Sequence, residues 1–154
     1  MNQVFNQQNI RNTQITDLPS VQSLLKLVNL PIEGIEEQFS NYFVLEDNND
    51  ANIIGSIGLE IYNSFGLLRS LAILPNHQYK NFGSSLVKVI EDFARSCAVK
   101  EIFLLTDTAT NFFLKHGYLT IDRKQVPIEI QASREFASIC PQSATVMKKK
   151  IVGS

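Results

Sequence analysis

Two ionisable residues near the middle of the chain have the types needed for proton transfer and for binding a charged group. Glu60 lies in the segment IGLEI, where apolar side chains occupy every second position. In a strand this alternation puts Ile57, Leu59 and Ile61 on one face and Glu60 on the other. A carboxylate there can accept a proton.

A hairpin would bring this carboxylate next to Arg69. If the turn centres on Ser64-Phe65, Glu60 lies directly opposite Arg69 on the next strand. As a purely structural ion pair across the strands, the two would contribute about 0.2–1 kcal/mol. In a pocket, the guanidinium could hold a carboxylate while Glu60 accepts a proton. A shift of register by one residue would separate the two side chains.

The segment that follows combines a strand, a polar turn and a helix. In RSLAILPNHQYKNFGSSL (69–86), an apolar strand ends at Pro75 and the letters QYKNFG lead into an amphipathic helix. Its apolar positions repeat at helical spacing: Leu86, Ile90, Phe93, Ala94 and Cys97. The N-terminus of a helix carries unpaired N–H groups and the positive end of the dipole. The pattern therefore predicts a site for phosphate or pyrophosphate at this helix end.

Periodicity and turn residues predict the other elements of a mixed α/β fold. A helix capped by Thr16 or Asp17 is expected to bury Leu18, Val21, Leu24, Leu25 and Val28. Strands are predicted at 10–13, 41–47, 52–62, 66–74, 101–106 and 144–151, with one more after Tyr118. Further helices are predicted at 31–39, 109–116 and around 134–139.

Length and composition favour one domain over residues 1–154. A chain of 154 residues with 44% hydrophobic residues can bury about two thirds of its unfolded surface. The net charge of -1 argues against nucleic acid as a partner, and the lysine run 148–150 is interpreted as a solvated chain end. Without a signal peptide or a membrane-spanning run, we expect a cytoplasmic protein that binds no membrane.

The two cysteines show no metal-ligand spacing, so no metal site is expected. Cys97 falls on the apolar face of its helix and is predicted to be buried. Cys140, in Ile139-Cys140-Pro141, is interpreted as a small buried residue, with a reactive thiol as the alternative.

Two motifs resemble those of the GNAT family of acyl-CoA N-acyltransferases. The family's pyrophosphate loop is Q/R-x-x-G-x-G/A; Gln78 and Gly83 match it, and Asn81 replaces a glycine. Asparagine tolerates positive φ better than most residues, so the turn can survive this exchange. The letters ATNFFLKHGY (109–118) resemble the second motif, a helix with an aromatic pair followed by a basic residue and Gly-Phe/Tyr.

The resemblance implies a GNAT fold with splayed central strands and acetyl-CoA as co-substrate. Backbone groups of the first strand would face the pantetheine, the loop would hold the pyrophosphate, and Thr106 and Asn111 are candidates to touch the pantetheine arm. Alternatively, Thr106 and Asn111 are a strand-end hydroxyl and a helix-surface amide. The expected cofactor-binding residues are Leu71, Ala72, Ile73, Gln78, Tyr79, Lys80, Asn81, Phe82, Gly83, Ser84, Thr106, Asn111 and Phe113.

Acyl transfer to an amine needs a proton acceptor and a proton for the leaving thiolate. Glu60 is the expected general base, and Arg69 is expected to hold a carboxylate of the acceptor. The family's usual acid is a tyrosine at the position of Phe113, which we therefore expect to pack. The thiolate would take its proton from water, from the acceptor ammonium, or from Thr106 or Thr108.

A finer resemblance concerns the acceptor. The letters GLEIY, LLRSLAI, FLLTDTATNFFLKHGY and REFASICPQSA resemble the small GNAT proteins of bacterial arsenic-resistance operons. The second motif is also similar to the acetyltransferase domain of N-acetylglutamate synthases. Both imply a small amino-acid-like amine or a toxic analogue, with Arg69 and Arg123 as candidate carboxylate holders. The alternatives are a degenerate GNAT that binds acyl-CoA as a sensor or interaction module, and an acetyltransferase for protein N-termini or lysines. A homodimer is left open.

Overall fold

A computed structural model describes residues 9–139 and 143–151 of the chain. Its strands are β1 (Ile10–Asn12), β2 (Tyr42–Glu46), β3 (Ile53–Tyr62), β4 (Phe65–Ile73), β5 (Glu101–Thr106), β6 (Leu119–Ile121) and β7 (Thr145–Lys150). They form a seven-stranded sheet in the order β1-β2-β3-β4-β5-β7-β6, in which β4 and β5 are parallel and the other neighbours antiparallel. The predicted mixed α/β fold is confirmed.

The α-helices are α1 (Leu18–Leu27), α2 (Phe82–Ser96), α3 (Thr110–Lys115) and α4 (Ile128–Gln131). Short 3-10 segments lie at Ile15–Asp17, Ile35–Asn41, Pro75–Lys80 and Arg123–Gln125, and one π-helical turn lies at Glu135–Ile139. Within the described ranges, no helix is both long and apolar enough to cross a membrane.

The sheet has an apolar core on each face. On one face α2 and α3 cover Ile57 and Leu59 of β3, which lie in one buried cluster with Ile90 and Phe113. On the other face α1 packs against Tyr42, while Leu67 belongs to a separate cluster with α4 and the π-helical turn. The two clusters of this second face flank the middle of β3 and β4, where the predicted ionisable residues lie.

The hairpin of β3 and β4 turns one residue earlier than predicted. Tyr62 pairs with Phe65, so Glu60 lies opposite Leu67 and Arg69 lies opposite Gly58. The predicted register, which centred the turn on Ser64-Phe65, is wrong. The error moves the cross-strand partner of Glu60 from Arg69 to Leu67, a shift of two residues. Because side chains alternate between faces with a period of two, Glu60 and Arg69 stay on the same face of the sheet. A long arginine side chain can therefore still reach the carboxylate.

Three further predictions differ from the structure. Cys97 is exposed rather than buried, because α2 ends at Ser96 and the cysteine is its C-cap. The helix predicted at 31–39 is replaced by a 3-10 segment over Ile35–Asn41, since Gly34 adopts a φ of 81° immediately before it. The lysine run is not a solvated end, because it belongs to β7. Cys140 lies outside the described residues.

Candidate active site

The sheet opens between its two central parallel strands. β4 and β5 pair only through Phe65–Glu101, Gly66–Ile102 and Leu67–Phe103. Beyond these pairs β4 continues along β3 as far as Ile73, whereas β5 continues along β7 as far as Thr106. Two parallel strands that stop pairing while each follows its outer neighbour must diverge. The gap between β4 past Leu67 and β5 past Phe103 is called the wedge below. It confirms the splayed central strands implied by the sequence resemblance.

A β-bulge lies where the wedge opens. Gly58 pairs with Arg69 and Ser56 with Ala72, so β4 places two residues, Ser70 and Leu71, opposite a single residue of β3. Ser70 has a φ of 64°, in the left-handed region. Bulges bend a strand and increase its local twist. The bulge therefore turns the end of β4 away from β5.

Buried hydroxyl groups hold this bulge in place. The Oγ of Ser56 donates to the carbonyl of Ser70 at 2.8 Å, and the hydroxyl of Tyr42 lies 3.1 Å from the Oγ of Ser70. All three residues are buried. The hydrogen bonds compensate the cost of a non-glycine residue at positive φ.

Backbone groups past the bulge face the wedge. The N–H of Leu74 donates to the carbonyl of Ile54 at 2.9 Å, and antiparallel partners alternate between bonded and non-bonded pairs. Ala72 therefore bonds toward β3, while the N–H and C=O of Ile73 point away from it. The same alternation turns Leu71 toward the opening. Of the three predicted backbone contacts, Leu71 and Ile73 have the required direction.

The predicted anion-binding loop lies at the mouth of the wedge. The side-chain amide of Gln78 donates to the carbonyl of Ile73 at 3.0 Å, which ties the loop to the end of β4. Asn81 has φ 61° and ψ 19°, so the predicted positive φ is confirmed, and α2 begins at the next residue. Gly83 lies against Phe112 of α3, where an added Cβ would be 3.4 Å from the ring. The N-terminus of α2 thus sits between the end of β4 and the helix that follows β5.

The remaining expected cofactor residues have mixed placements. The Oγ1 of Thr106 accepts a hydrogen bond from the N–H of Ala109 at 2.9 Å, which supports the strand-end role. Asn111 is exposed at the start of α3. Phe113 is 4% exposed and packs edge-on against Phe112 and Tyr118, so it packs as expected. The side chains at positions 79 and 80 lie outside the described part of the structure.

Glu60 and Arg69 form a buried ion pair on the opposite side of β4 from α2. The Nη1 of Arg69 lies 3.0 Å from the Oε2 of Glu60, and both residues are 3% exposed. The hydroxyl of Tyr62 donates to the Oε1 of Glu60 at 2.6 Å, and the Nη2 of Arg69 donates to the carbonyl of Pro31 at 3.4 Å. The predicted pairing is therefore present, in a desolvated environment.

A second carboxylate lies beside the same guanidinium. The Oε2 of Glu135 is 3.9 Å from the Nε of Arg69, and Glu135 is 5% exposed. It lies on the π-helical turn Glu135–Ile139, a type of segment that is frequent at functional sites. Sequence reasoning missed Glu135, because its helical context carries no signal for a contact with β4. Two buried carboxyl groups therefore lie next to one guanidinium.

The two phenols and the guanidinium of this cluster keep their protons at neutral pH. Burial raises the pKa of Tyr62, and the hydrogen bond to Glu60 raises it further. Burial also raises the pKa of Tyr42. Burial alone would lower the pKa of Arg69, but the surrounding Tyr42, Glu135 and Glu60 outweigh it, and the pKa is raised. Both phenols are therefore neutral, Tyr62 donates its proton to Glu60, and Arg69 is a permanent cation.

Arg69 directly precedes Ser70 of the bulge, so the ion pair and the wedge share one short stretch of β4. Together they combine a buried carboxylate, directed backbone groups and a helix N-terminus. Among residues 9–139 and 143–151, no group of three His, Cys, Asp or Glu side chains is arranged to hold a metal ion.

These features define an acyltransferase architecture, and sequence comparison assigns its family. Residues 9–118 match the model of the Acetyltransferase (GNAT) family, which covers more than half of the chain. The chain belongs to the Acetyltransferase (GNAT) family.

The relatives include amino-acid acetyltransferases. The amino-acid acetyltransferase of Neisseria meningitidis is 25% identical over 127 residues, which cover 77% of this chain and 29% of that protein. The chain therefore spans less than a third of this relative. The uncharacterized protein YwlB of Bacillus subtilis is 26% identical over 136 residues, which cover 86% of this chain and 90% of YwlB.

Solved structures share the fold. N-acetylglutamate synthase of Neisseria gonorrhoeae, complexed with coenzyme A and N-acetyl-glutamate, aligns with a TM-score of 0.79 at 21% identity, over 94% of this chain and 35% of that one. A Mycobacterium tuberculosis protein in complex with CoA aligns with a TM-score of 0.79 at 19% identity, over 93% of this chain and 99% of that one. At these identities the likeness shows the fold.

Proposed function

We propose that the protein transfers the acetyl group of acetyl-CoA to the amine of a small amino-acid-like acceptor. The observation that carries this proposal is the position of the wedge, which has the N-terminus of α2 at its mouth and the buried Glu60–Arg69 pair beside it on β4. The amino-acid acetyltransferases among the relatives support this acceptor class. Toxic analogues of amino acids, which the sequence resemblance also implies, belong to the same class.

The cofactor would lie along the wedge. The first-turn amides of α2 have no partners within the helix and would bind the pyrophosphate, together with the loop that Asn81 closes. The backbone groups of Leu71 and Ile73 would pair with the pantetheine amides and polarise the thioester carbonyl. This direction places the reacting carbon near the bulge at Ser70, one residue from Arg69.

Glu60 would then act as the general base, directly or through a water molecule. An ammonium group is no nucleophile, so its proton must leave before the amine attacks the thioester. Arg69 would orient the carboxylate, since the guanidinium has no exposed surface and already bonds Glu60 and Pro31. In this arrangement Arg69 is chiefly a positioning residue, and Arg123 stays the second candidate for the acceptor carboxylate.

The thiolate would be protonated by water or by the cationic nitrogen that forms when the amine attacks the thioester, since this nitrogen loses a second proton as the amide forms. Phe113 occupies the position of the family's usual acid, and its ring has no proton to donate and lies in the core. The Oγ1 of Thr106 accepts from Ala109, so its own proton stays available as a further source.

A screen for release of free CoA thiol, with amino acids and their analogues as acceptors, tests the proposal. Acetyl-CoA should raise the melting temperature by mass action even without an acceptor. With the best acceptor, Glu60→Gln should lower kcat by about 10²-fold or more at unchanged acetyl-CoA affinity, which is the usual range for loss of a general base. Glu129→Gln is the control: this half-buried residue of α4 accepts a hydrogen bond from Asn63, which a glutamine oxygen can also accept.

The pH profile separates catalysis from structure. A carboxylate base imposes an ascending acid limb on kcat/KM, and this limb should disappear in Glu60→Gln. An unchanged profile in a folded Glu60→Gln protein would remove Glu60 from the mechanism. Binding of acetyl-CoA without turnover of any acceptor would instead favour a sensor or interaction module.

A further inference from the structure

His116 lies between the two elements that border the mouth of the wedge. Its Nε2 is 3.1 Å from the Oγ of Ser84, in the first turn of α2. Its ring packs against Phe112 of α3, with centroids 4.6 Å apart and planes inclined by 48°. α3 ends directly before His116, and Gly117 follows with a φ of 91°. The ring is thus fixed by its own helix while its nitrogen contacts the neighbouring one.

The contact decides how the Ser84 hydroxyl can be used. A serine hydroxyl has one proton to donate and can accept two hydrogen bonds. If the Nε2 of His116 carries a hydrogen and donates to Oγ, the serine proton is left to point elsewhere. Ser84 is the third residue of α2, where backbone N–H groups have no helical acceptor. The Ser84 hydroxyl could therefore donate to an anion bound at this end of the helix.

We propose that His116 is a positioning residue for the cofactor, acting through Ser84. Its Nε2–H donates to the Oγ of Ser84, and the Ser84 hydroxyl donates to a phosphate oxygen of the bound diphosphate. This inference rests on the proposed function, which puts the diphosphate of acetyl-CoA at the N-terminus of α2. Phe112 supports the arrangement by fixing the plane of the imidazole.

Two substitutions separate this role from simple packing. The side-chain nitrogen of glutamine can reach the place of Nε2, whereas that of asparagine, which is shorter, corresponds to Nδ1. His116→Gln should keep the affinity for acetyl-CoA within about twofold of the native protein. His116→Asn should weaken it by roughly three- to tenfold, the usual effect of one lost hydrogen bond between neutral groups. Isothermal titration calorimetry with acetyl-CoA measures both.

A double-mutant cycle tests whether the effect passes through the serine. Ser84→Ala should weaken acetyl-CoA binding, and His116→Asn should then cause no further loss in the Ser84→Ala protein. Lys115→Gln, at the exposed position beside His116, is the control and should bind like the native chain. Melting temperatures of all variants verify that they fold.

The outcomes are distinct. Additive losses in the cycle, equal losses in His116→Asn and His116→Gln, or native affinity in His116→Asn would each overturn the inference and leave the proposed function intact. If the native chain itself does not bind acetyl-CoA, the proposed function fails, and the inference fails with it.

Discussion

Removing the positive charge from the buried cluster should destabilise the protein far more than removing the same charge from its surface. Arg69→Met keeps an apolar stem of similar length but leaves the carboxylates of Glu60 and Glu135 without their guanidinium. Their side chains are 4% and 6% exposed, so water cannot replace the lost cation. Breaking a buried pair in this way costs about 3–5 kcal/mol.

The chain offers a control with nearly the same geometry. Arg134 and Glu37 are 2.9 Å apart, against 3.0 Å for the buried pair, but their side chains are 57% and 51% exposed. A surface pair of this kind contributes about 0–1 kcal/mol. Arg134→Met should therefore cost less than about 1 kcal/mol.

Urea unfolding followed by far-UV circular dichroism gives both values, since the chain has no tryptophan. For a protein of this size, 3–5 kcal/mol corresponds to a fall in melting temperature of about 6–20 °C. Arg69→Met/Glu60→Gln should recover part of the loss, because one uncompensated charge disappears and Tyr62 can still donate to the amide oxygen. Equal, small losses for Arg69→Met and Arg134→Met would refute the view that this cluster is desolvated.

Two further predictions concern the backbone and the pH dependence. Asn81→Gly should preserve or tighten acetyl-CoA binding, because glycine adopts the φ of 61° without steric cost. Asn81→Val should clearly weaken binding, because a β-branched side chain is strained at positive φ. If calorimetry finds native affinity in Asn81→Val, this account of the loop is wrong. A hydrogen bond from Arg11 lowers the pKa of Asp17 in the folded state. The ionised Asp17 therefore stabilises the fold at any pH above its unfolded pKa of about 3.9, and this stabilisation is lost as the pH falls through the lower pKa of the folded state. Asp17→Asn should therefore lower the urea midpoint at pH 7 and flatten its decline in acid, whereas Asp50→Asn, at an exposed turn, should leave both unchanged.

Local patterns were sufficient to predict the elements and the faces of their residues. The alternation of apolar residues in β3 predicted that Glu60 lies on the other face of the strand from Ile57 and Leu59. These two apolar residues are buried in the core covered by α2. The glycine missing at position 81 predicted a positive φ, which the structure has. Both features depend on a few neighbouring residues, which is why the sequence was informative about them.

Features that depend on where an element ends were less predictable. The turn residues Asn63, Ser64 and Phe65 fit more than one hairpin, and the structure uses the first two. Cys97 continues the apolar spacing of α2, but the helix ends one residue before it. In both cases the error was a matter of one residue at a boundary, and it changed a register or the burial of a side chain.

Contacts between distant segments left no local signal. Glu135 reaches Arg69 from a π-helical turn late in the chain, and Lys149 of β7 pairs with Glu91 of α2 at 3.0 Å. The same carboxylate accepts from the hydroxyl of Tyr118 at 2.8 Å. Sequence reasoning saw Lys149 only as part of a charged run, because the packing of the whole sheet decides which carboxylate it meets.

The wedge also gives the sheet two additional edges in its interior. An ordinary open sheet exposes unpaired backbone groups only at its outermost strands, which proteins shield against strand addition by other chains. Here the facing sides of β4 and β5 past Leu67 and Phe103 are unpaired with each other in the middle of the fold. A ligand lying between them would cover backbone groups that could otherwise template aggregation. A ligand bound in the wedge would then protect the folded chain from self-association.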